Sequence, residues 1–255
     1  MHYGICNLSI APLRATASDK SEMINQVLFG ETFTILEKEE NWYKVALSFD
    51  NYEGFIDNKQ CLLLSEKDFN KTNNSKTYYS GDIVEYISNK NQLYTILLGS
   101  NLPLFANQKI QIGSDSYTFE GNFFSEKLNK KEILRKAFLF LNSPFLWGGK
   151  TPFGIDCSGF TQMVYKLCGY SLLRDANQQA TQGEVLSFIE ESEPGDLAFF
   201  DNDEGEIVHV GIILMDYHII HAYGKVRIDT LDHSGIFNHD LQKHTHKLRV
   251  IKKII

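Results

Sequence analysis

Cys157 has the sequence context of a nucleophilic thiol. It follows Gly154-Ile155-Asp156 and opens an apolar repeat of helical period, which predicts a place in the first turn of a helix. Backbone N–H groups at a helix start lack intrahelical acceptors, and with the helix dipole they favour an anion. This position therefore predicts a reactive thiolate, and the same N–H groups could stabilise an oxyanion.

The other cysteines give a comparison within the chain. Cys168 falls on the apolar stripe of the same predicted helix, where a cysteine behaves as a small hydrophobic residue. Cys6 and Cys61 have no context that predicts chemistry. The four cysteines form no C-x-x-C pair, which fits a reducing compartment better than a disulfide scaffold.

Two of the eight histidines are candidates for acid–base chemistry. His209 opens a β-type run after the loop 202–205, where it can stand at a sheet edge as a general base. His221 follows after twelve residues, where an adjacent antiparallel strand would place a third polar group that orients the base. The other histidines are interpreted as ordinary surface or core residues: His2, His218, His233, His239, His244 and His246.

The elements around these residues predict an α+β domain over residues 129–255. One helix is expected to start at Asn129, with an apolar face formed by Ile133, Leu134, Ala137, Phe138 and Leu141. A second helix is expected from Asp156 to Gly169. β-type runs at 197–200, 208–214, 218–222 and 248–255 have short connections, so we expect helices packed on an antiparallel sheet.

The N-terminal half has a different pattern. Short β-type runs at 23–29, 32–36 and 42–47 predict a small barrel within residues 1–67. The polar stretch 68–76 has the composition of a linker or exposed loop. Further runs at 83–87, 93–98 and 109–112 predict a second small barrel within residues 77–125.

Composition limits the partners. A net charge of -7, from 25 Lys and Arg against 32 Asp and Glu, argues against nucleic acid and anionic membranes. The N-terminus lacks the pattern of a signal peptide, so we expect a cytoplasmic protein. No group outside the Cys–His set has recognised metal-ligand spacing, so neither a metal nor a cofactor is expected. The sequence does not indicate an oligomeric state.

Five short motifs occur in order between residues 144 and 222: Trp147-Gly148-Gly149, Gly154-Ile155-Asp156-Cys157-Ser158-Gly159-Phe160, Pro194-Gly195-Asp196-Leu197, His209-Val210-Gly211-Ile212 and Ile220-His221-Ala222. Together they resemble the NlpC/P60 family of bacterial cell-wall peptidases. The resemblance implies a papain-like fold and a Cys-His-His triad at Cys157, His209 and His221. Many members carry a tyrosine where this chain has Phe145, so a hydrogen bond from that phenol is missing here.

A further likeness concerns Leu173-Arg174-Asp175-Ala176 and N-terminal segments such as Trp42-Tyr43-Lys44-Val45 and Tyr52-Glu53-Gly54-Phe55. These segments are similar to those of γ-D-glutamyl-L-diamino-acid endopeptidases, which join bacterial SH3-like domains to the peptidase domain. The likeness implies one or two SH3-like β-barrels before the peptidase domain. It also implies cleavage of murein tri- or tetrapeptides with a free N-terminal L-alanine, in murein peptide recycling. The implied substrate-binding residues are Glu22, Tyr52, Trp147, Asp156, Ser158, Asp175 and Ala176.

Two other functions remain open at this point. A related Cys–His hydrolase could act as an amidase between muramic acid and L-alanine. A protein with paired SH3-like barrels could also bind wall peptide without catalysis, although the complete Cys157, His209 and His221 set argues against this. The diamino acid could be meso-diaminopimelate or lysine.

Overall fold

The computed structural model describes residues 2–89 and 92–255. These residues divide into two compact units, the first ending at Glu126 and the second comprising Lys127–Ile255. Within the described ranges, no helix combines the length and the apolar character needed to span a membrane. Three domains were predicted, at 1–67, 77–125 and 129–255, whereas the structure divides into two units. An independent domain at 77–125 stays a prediction.

The first unit is mainly β-sheet. Its larger sheet has the order β3-β2-β6-β5-β4-β1-β7 and consists of β1 (His2–Ile5), β2 (Ile10–Arg14), β3 (Met23–Leu28), β4 (Thr32–Glu39), β5 (Trp42–Leu47), β6 (Glu53–Asp57) and β7 (Leu62–Leu64). All of its pairings are antiparallel. Buried residues from alternate positions, including Leu13, Val27, Phe33 and Val45, form its core.

The rest of the first unit contains smaller sheets. A four-stranded sheet has the order β10-β9-β12-β11, and a pair joins β13 to β8; the strands are β8 (Tyr79–Ser80), β9 (Val84–Ser88), β10 (Leu93–Leu97), β11 (Lys109–Ile112), β12 (Asp115–Phe119) and β13 (Phe123–Phe124). Ile5 and Phe29 of the first sheet region share a core cluster with Ile87, Ile96 and Phe119. This shared core explains why both sheets lie in one compact unit.

The loop predicted at 68–76 is wrong, because helix α1 (Glu66–Asn73) covers most of it. Ser65 caps the helix, and its hydroxyl accepts the Asp68 N–H at 3.1 Å. The Phe69 ring stacks on Tyr3 with ring centroids 4.1 Å apart. Polar composition suggested a loop, but the capping serine and the Phe69 contact with Tyr3 favour a short docked helix.

The helices of the second unit surround the candidate nucleophile. They are α2 (Lys130–Phe138), α3 (Cys157–Leu167) and α4 (Ala176–Gln179). In α2, Ile133 and Ala137 are buried as predicted, but Phe138 is exposed, as is Leu141 beyond the helix end. The helix ends before the predicted face is complete, and Phe140 takes the buried place instead. Every residue of α3 is buried.

The second unit also contains a closed antiparallel barrel. The strands of this unit are β14 (Lys150–Thr151) and β15 (Gly154–Ile155), which form a separate pair, and β16 (Glu184–Leu186), β17 (Leu197–Asp201), β18 (Ile207–Ile213), β19 (His218–Tyr223), β20 (Lys225–Asp232), β21 (Gly235–Asn238) and β22 (Lys243–Lys253). The order is β16-β22-β17-β18-β19-β20-β21, and an additional β21–β22 pairing closes a six-stranded ring. The sequence predicted neither β20 nor β21.

We expect Ser65→Ala to lower the free energy of unfolding of the first unit by about 1 kcal/mol, because the variant leaves the Asp68 N–H without its cap. Urea denaturation followed by circular dichroism measures the change. Ser114→Ala, at an exposed turn position in the same unit, is the control. Equal stability of the two variants would show that the cap contributes nothing.

Candidate active site

Cys157 is the first residue of α3 and is 7% exposed. Its sulfur accepts backbone hydrogen bonds from Ser158 and from Val210. Val210 directly follows His209 on β18. The structure therefore brings the start of α3 against the strand that carries the predicted base.

Asp156 holds the start of α3 in place. Its carboxylate accepts the Gly159 N–H at 2.6 Å, which caps the helix, and the Gly148 N–H at 2.8 Å. Arg174, which is 1% exposed, donates to both carboxylate oxygens at 3.0 and 2.5 Å and to the Ser158 hydroxyl at 2.9 Å. Asp156 therefore has a structural function, since its charge is compensated and its oxygens are engaged, and its part in substrate binding stays a prediction.

Strand register brings the two predicted histidines together. His221 lies directly opposite Gly211, and Gly211 is two residues from His209 on the same face of β18. The histidines are thus diagonal neighbours, and His209 Nε2 lies 2.8 Å from His221 Nδ1. Gly211 leaves room for this contact, because a Cβ there would lie 2.9 Å from the His221 Cβ.

Two charged residues on β20, Arg227 and Asp229, complete the arrangement, and neither was predicted from the sequence. His221 Nε2 lies 3.1 Å from Asp229 Oδ2. Arg227 donates to both oxygens of Asp229, at 2.7 and 2.8 Å. Arg227 and Asp229 are two residues apart and so share one strand face, which could have indicated an ion pair. This spacing can be interpreted only once β20 is recognised as a strand.

His246 was interpreted as an ordinary histidine, but it belongs to this cluster. It is half-buried on β22, and its ring stacks on His209 with centroids 4.1 Å apart and 28° between the planes. Its ring is also perpendicular to that of Tyr223, at 4.9 Å. No pattern in the sequence connects His246 to the site, because closure of the barrel brings it there.

His209, His221 and His246 each offer a ring nitrogen, and these atoms lie within 4.8 Å of one another, so a metal site must be considered. The His209–His221 hydrogen bond already uses one nitrogen of each ring. Imidazole lone pairs lie in the ring plane, and the nearly parallel rings of His209 and His246 do not direct them to one point. The geometry favours a hydrogen-bonded histidine cluster.

The electrostatics correct the prediction of a resting thiolate. Burial, together with the charge of Asp156, raises the pKa of Cys157 to about 12, although Arg174 and two backbone hydrogen bonds oppose the shift. Burial and the neighbouring His221 and His246 hold the pKa of His209 well below its ordinary value. The helix start favours an anion, but the cost of desolvation is larger. The resting pair is therefore a neutral thiol and a neutral imidazole.

Two predicted substrate-binding residues lie in the first unit. Glu22 is exposed just before β3, and its carbonyl accepts the Ala15 N–H at 3.0 Å. Tyr52 is half-buried and packs against the core of the larger sheet. Their part in substrate binding stays a prediction.

The other predicted residues lie in the second unit, in the segment before α3, beside Cys157 or at the start of α4. Ser158 and Ala176 are buried, and Asp175 is half-buried at the N-cap of α4, where its N–H donates to Gln178 Oε1 at 3.1 Å. Trp147 is 59% exposed and directly precedes Gly148, whose N–H binds Asp156. Phe145 is also exposed, and its N–H donates to the Gly224 carbonyl at 3.0 Å.

Comparison with known proteins identifies two domains in the chain. Residues 142–246 match the model of the NlpC/P60 family, and residues 13–60 match the bacterial dipeptidyl-peptidase SH3 domain. A γ-D-glutamyl-L-lysine dipeptidyl-peptidase of Bacillus cereus is 26% identical over 230 residues, covering 80% of this chain and 68% of that protein. Dipeptidyl-peptidase 6 of Lysinibacillus sphaericus is 25% identical over 252 residues, covering 88% of this chain and 89% of its own.

A solved structure of an NlpC/P60 family protein from Bacillus cereus shares the fold. It superposes with a TM-score of 0.82 at 20% identity, over 99% of both chains. A papain-like unit with a buried cysteine at a helix start and paired histidines on adjacent strands defines a cysteine peptidase. The chain contains an NlpC/P60 domain, over residues 142–246, and a bacterial dipeptidyl-peptidase SH3 domain, over residues 13–60.

We expect the unliganded protein to show no thiolate absorbance from Cys157 at neutral pH. A thiol with a pKa of about 12 stays protonated below that value, so no appreciable thiolate band should develop between pH 6 and 10. The measurement is the ultraviolet difference spectrum between wild type and Cys157→Ala across pH 6 to 10. A full thiolate band at neutral pH that disappears on acidification would instead show a thiolate–imidazolium pair.

Proposed function

We propose that Cys157 is the nucleophile, His209 the general base and His221 the residue that orients it. The observation that carries this assignment is the hydrogen bond from the Val210 N–H to the Cys157 sulfur, which places the sulfur beside His209. The Nε2 atom of His209 is in turn held by a hydrogen bond with His221. Because Nε2 is engaged, Nδ1 is the nitrogen of His209 available to the thiol. A buried neutral imidazole can accept a proton at neutral pH.

The reaction then proceeds in two halves. The Cys157 sulfur attacks the amide carbonyl while its proton passes to His209 Nδ1. The oxyanion forms near the start of α3, where the backbone N–H of Cys157 has no acceptor within the helix. His209 then donates its proton to the departing amine, which leaves a thioester. Water activated by His209 hydrolyses the thioester and restores the thiol.

We further propose that the amide joins γ-D-glutamate to an L-diamino acid, in murein tri- or tetrapeptides with a free N-terminal L-alanine. The support comes from the names of the two relatives and from the SH3 domain of dipeptidyl-peptidase type. An enzyme that requires a free amino end acts on released wall fragments, so the proposal includes a role in murein peptide recycling. A cytoplasmic location remains a prediction.

We expect Cys157→Ala to abolish hydrolysis while the protein stays folded, because the pathway requires a covalent acyl-enzyme. Cys168→Ala is the matched control, since it changes a buried cysteine at the other end of the same helix. Product release is followed by mass spectrometry, and folding by circular dichroism. Hydrolysis by folded Cys157→Ala above a trace would show that the nucleophile is another residue.

We expect the enzyme to prefer L-Ala-γ-D-Glu-L-lysine or its diaminopimelate analogue over the N-acetylated peptide by roughly 10²–10⁴-fold in kcat/KM. A site that pairs with an ammonium group rejects a ligand without it, because its buried polar groups are left without a partner. Both diamino acids are assayed, so the same experiment identifies the preferred one.

Three outcomes decide the substrate proposal. Equal cleavage of the free and acetylated peptides contradicts the requirement for a free amino end. Cleavage only between muramic acid and L-alanine indicates the amidase. The predicted contribution of Glu22 and Tyr52 is tested by Glu22→Gln and Tyr52→Ala, which should reduce the preference. Unchanged preference in both variants excludes them as binding residues.

A further inference from the structure

A line of hydrogen bonds extends from the predicted base along β19 and β20. His209 Nε2 faces His221 Nδ1 at 2.8 Å, and His221 Nε2 faces Asp229 Oδ2 at 3.1 Å. Each of these contacts requires one proton between two heavy atoms. The group at the end of the line therefore decides which nitrogen of each histidine is protonated.

Asp229 can only accept. It is 1% exposed, but Arg227 donates to both of its oxygens. Burial alone would raise the pKa of the Asp229 carboxyl, yet the hydrogen bonds from His221 and Arg227, together with the charge of Arg227, lower it below the ordinary value. An ionised carboxylate has no proton to donate, so His221 Nε2 must carry the proton of that contact.

The same logic continues to the base. Burial lowers the pKa of His221, so this histidine is neutral at pH 7, and with a proton on Nε2 its Nδ1 is a bare acceptor. The 2.8 Å contact then requires His209 Nε2 to donate. His209 is neutral as well, because burial holds its pKa well below 6.5. Its Nδ1 is therefore left as the unprotonated nitrogen.

We propose that Asp229 is a positioning residue that fixes the tautomers of His221 and His209 so that His209 Nδ1 accepts the proton of Cys157. The inference rests on the proposed roles of Cys157 and His209. One proton moves, from Cys157 Sγ to His209 Nδ1, and the protons on the two Nε2 atoms remain in place. The imidazolium formed on His209 already donates to His221, whose own proton is held by the Asp229 carboxylate.

The surrounding groups do not replace Asp229 in this role. His246 packs on His209 from β22, but burial lowers its pKa to about 4, so it is uncharged at pH 7. Tyr223 lies parallel to His221 at 6.4 Å, in ring contact only. Arg227 is paired with Asp229 on one side and with Asp240 on the other, at 2.9 Å. Among the groups facing the two histidines, Asp229 is the carboxylate in contact.

The first test needs no variant and no substrate. Long-range ¹H–¹⁵N correlation spectra of the ¹⁵N-histidine-labelled wild type at pH 7 report the tautomer of each ring. Signals are assigned with His209→Gln and His221→Gln. We expect both His209 and His221 as the Nε2–H tautomer. A proton on Nδ1 of either neutral ring would overturn the proposal, whether or not the enzyme cleaves the proposed peptide.

The second test removes the carboxylate. Asp229→Ala should give mixed tautomers at His221 and lower kcat by roughly 10–100-fold with little change in KM. The reason is that molecules with the wrong tautomer lack the general base, whose contribution to the rate is about 10²–10⁴-fold. Asp229→Glu should recover part of the loss. Asp240→Ala is the matched control, since it removes a carboxylate from the same arginine at a side chain that is 76% exposed; it should leave tautomers and kcat unchanged.

The outcomes separate this inference from the proposed function. Unchanged tautomers or unchanged kcat in folded Asp229→Ala would overturn the inference, as would equal losses in Asp240→Ala. If Asp229→Ala does not fold, the wild-type spectrum still decides. A wild type with the expected tautomers but no activity on either peptide contradicts the proposed substrate and leaves the role of Asp229 standing.

Discussion

The buried carboxylate of Asp156 is the interaction on which the site depends. It caps α3 through Gly159, fixes the preceding loop through the Gly148 N–H and pairs with Arg174 from the segment before α4. Three segments separated along the chain thus meet at one side chain. A buried charge is tolerated only when it is paired and hydrogen-bonded, and here Arg174 and the N–H groups satisfy that condition. Cys157 takes its position because its neighbour in sequence is held in this way.

The histidines depend on a different constraint, the pairing of the barrel strands. Antiparallel register makes His209 and His221 diagonal neighbours, and Gly211 keeps the space between them open. Asp229 reaches His221 because β20 pairs with β19, and His246 reaches His209 because β22 returns to pair with β17 and β21. The polar cluster therefore draws on three successive strands, β18, β19 and β20, and on β22, which closes the barrel. Its buried members rely on one another for hydrogen bonds, which makes the arrangement specific.

The sequence predicted the residues whose chemistry is expressed locally. A cysteine after Asp156 at the start of an apolar helical repeat is readable within a few residues, and so is a histidine that opens a β-type run. Asp229 was not predicted because β20 was not recognised as a strand, and His246 was not predicted because its contact with His209 comes from the later strand β22. Helix α1 was missed for the opposite reason: its polar composition concealed a capping serine and the Phe69 contact with Tyr3. The thiolate was predicted wrongly because the helix start is visible in sequence and the depth of burial is not.

Burial also explains how the site can be both stable and reactive. The carboxylate that anchors Cys157 disfavours its thiolate, and Arg174 offsets only part of that effect. Neutral Cys157 and neutral His209 avoid the cost of two buried charges in the resting protein. In the proposed reaction, charge separation accompanies attack on the carbonyl, and negative charge develops on the oxyanion near the N–H groups of α3. The positive charge then lies on His209, in line with His221 and the carboxylate of Asp229. Stabilisation is thus available when charge develops, which is the condition under which an electrostatic contact accelerates a reaction.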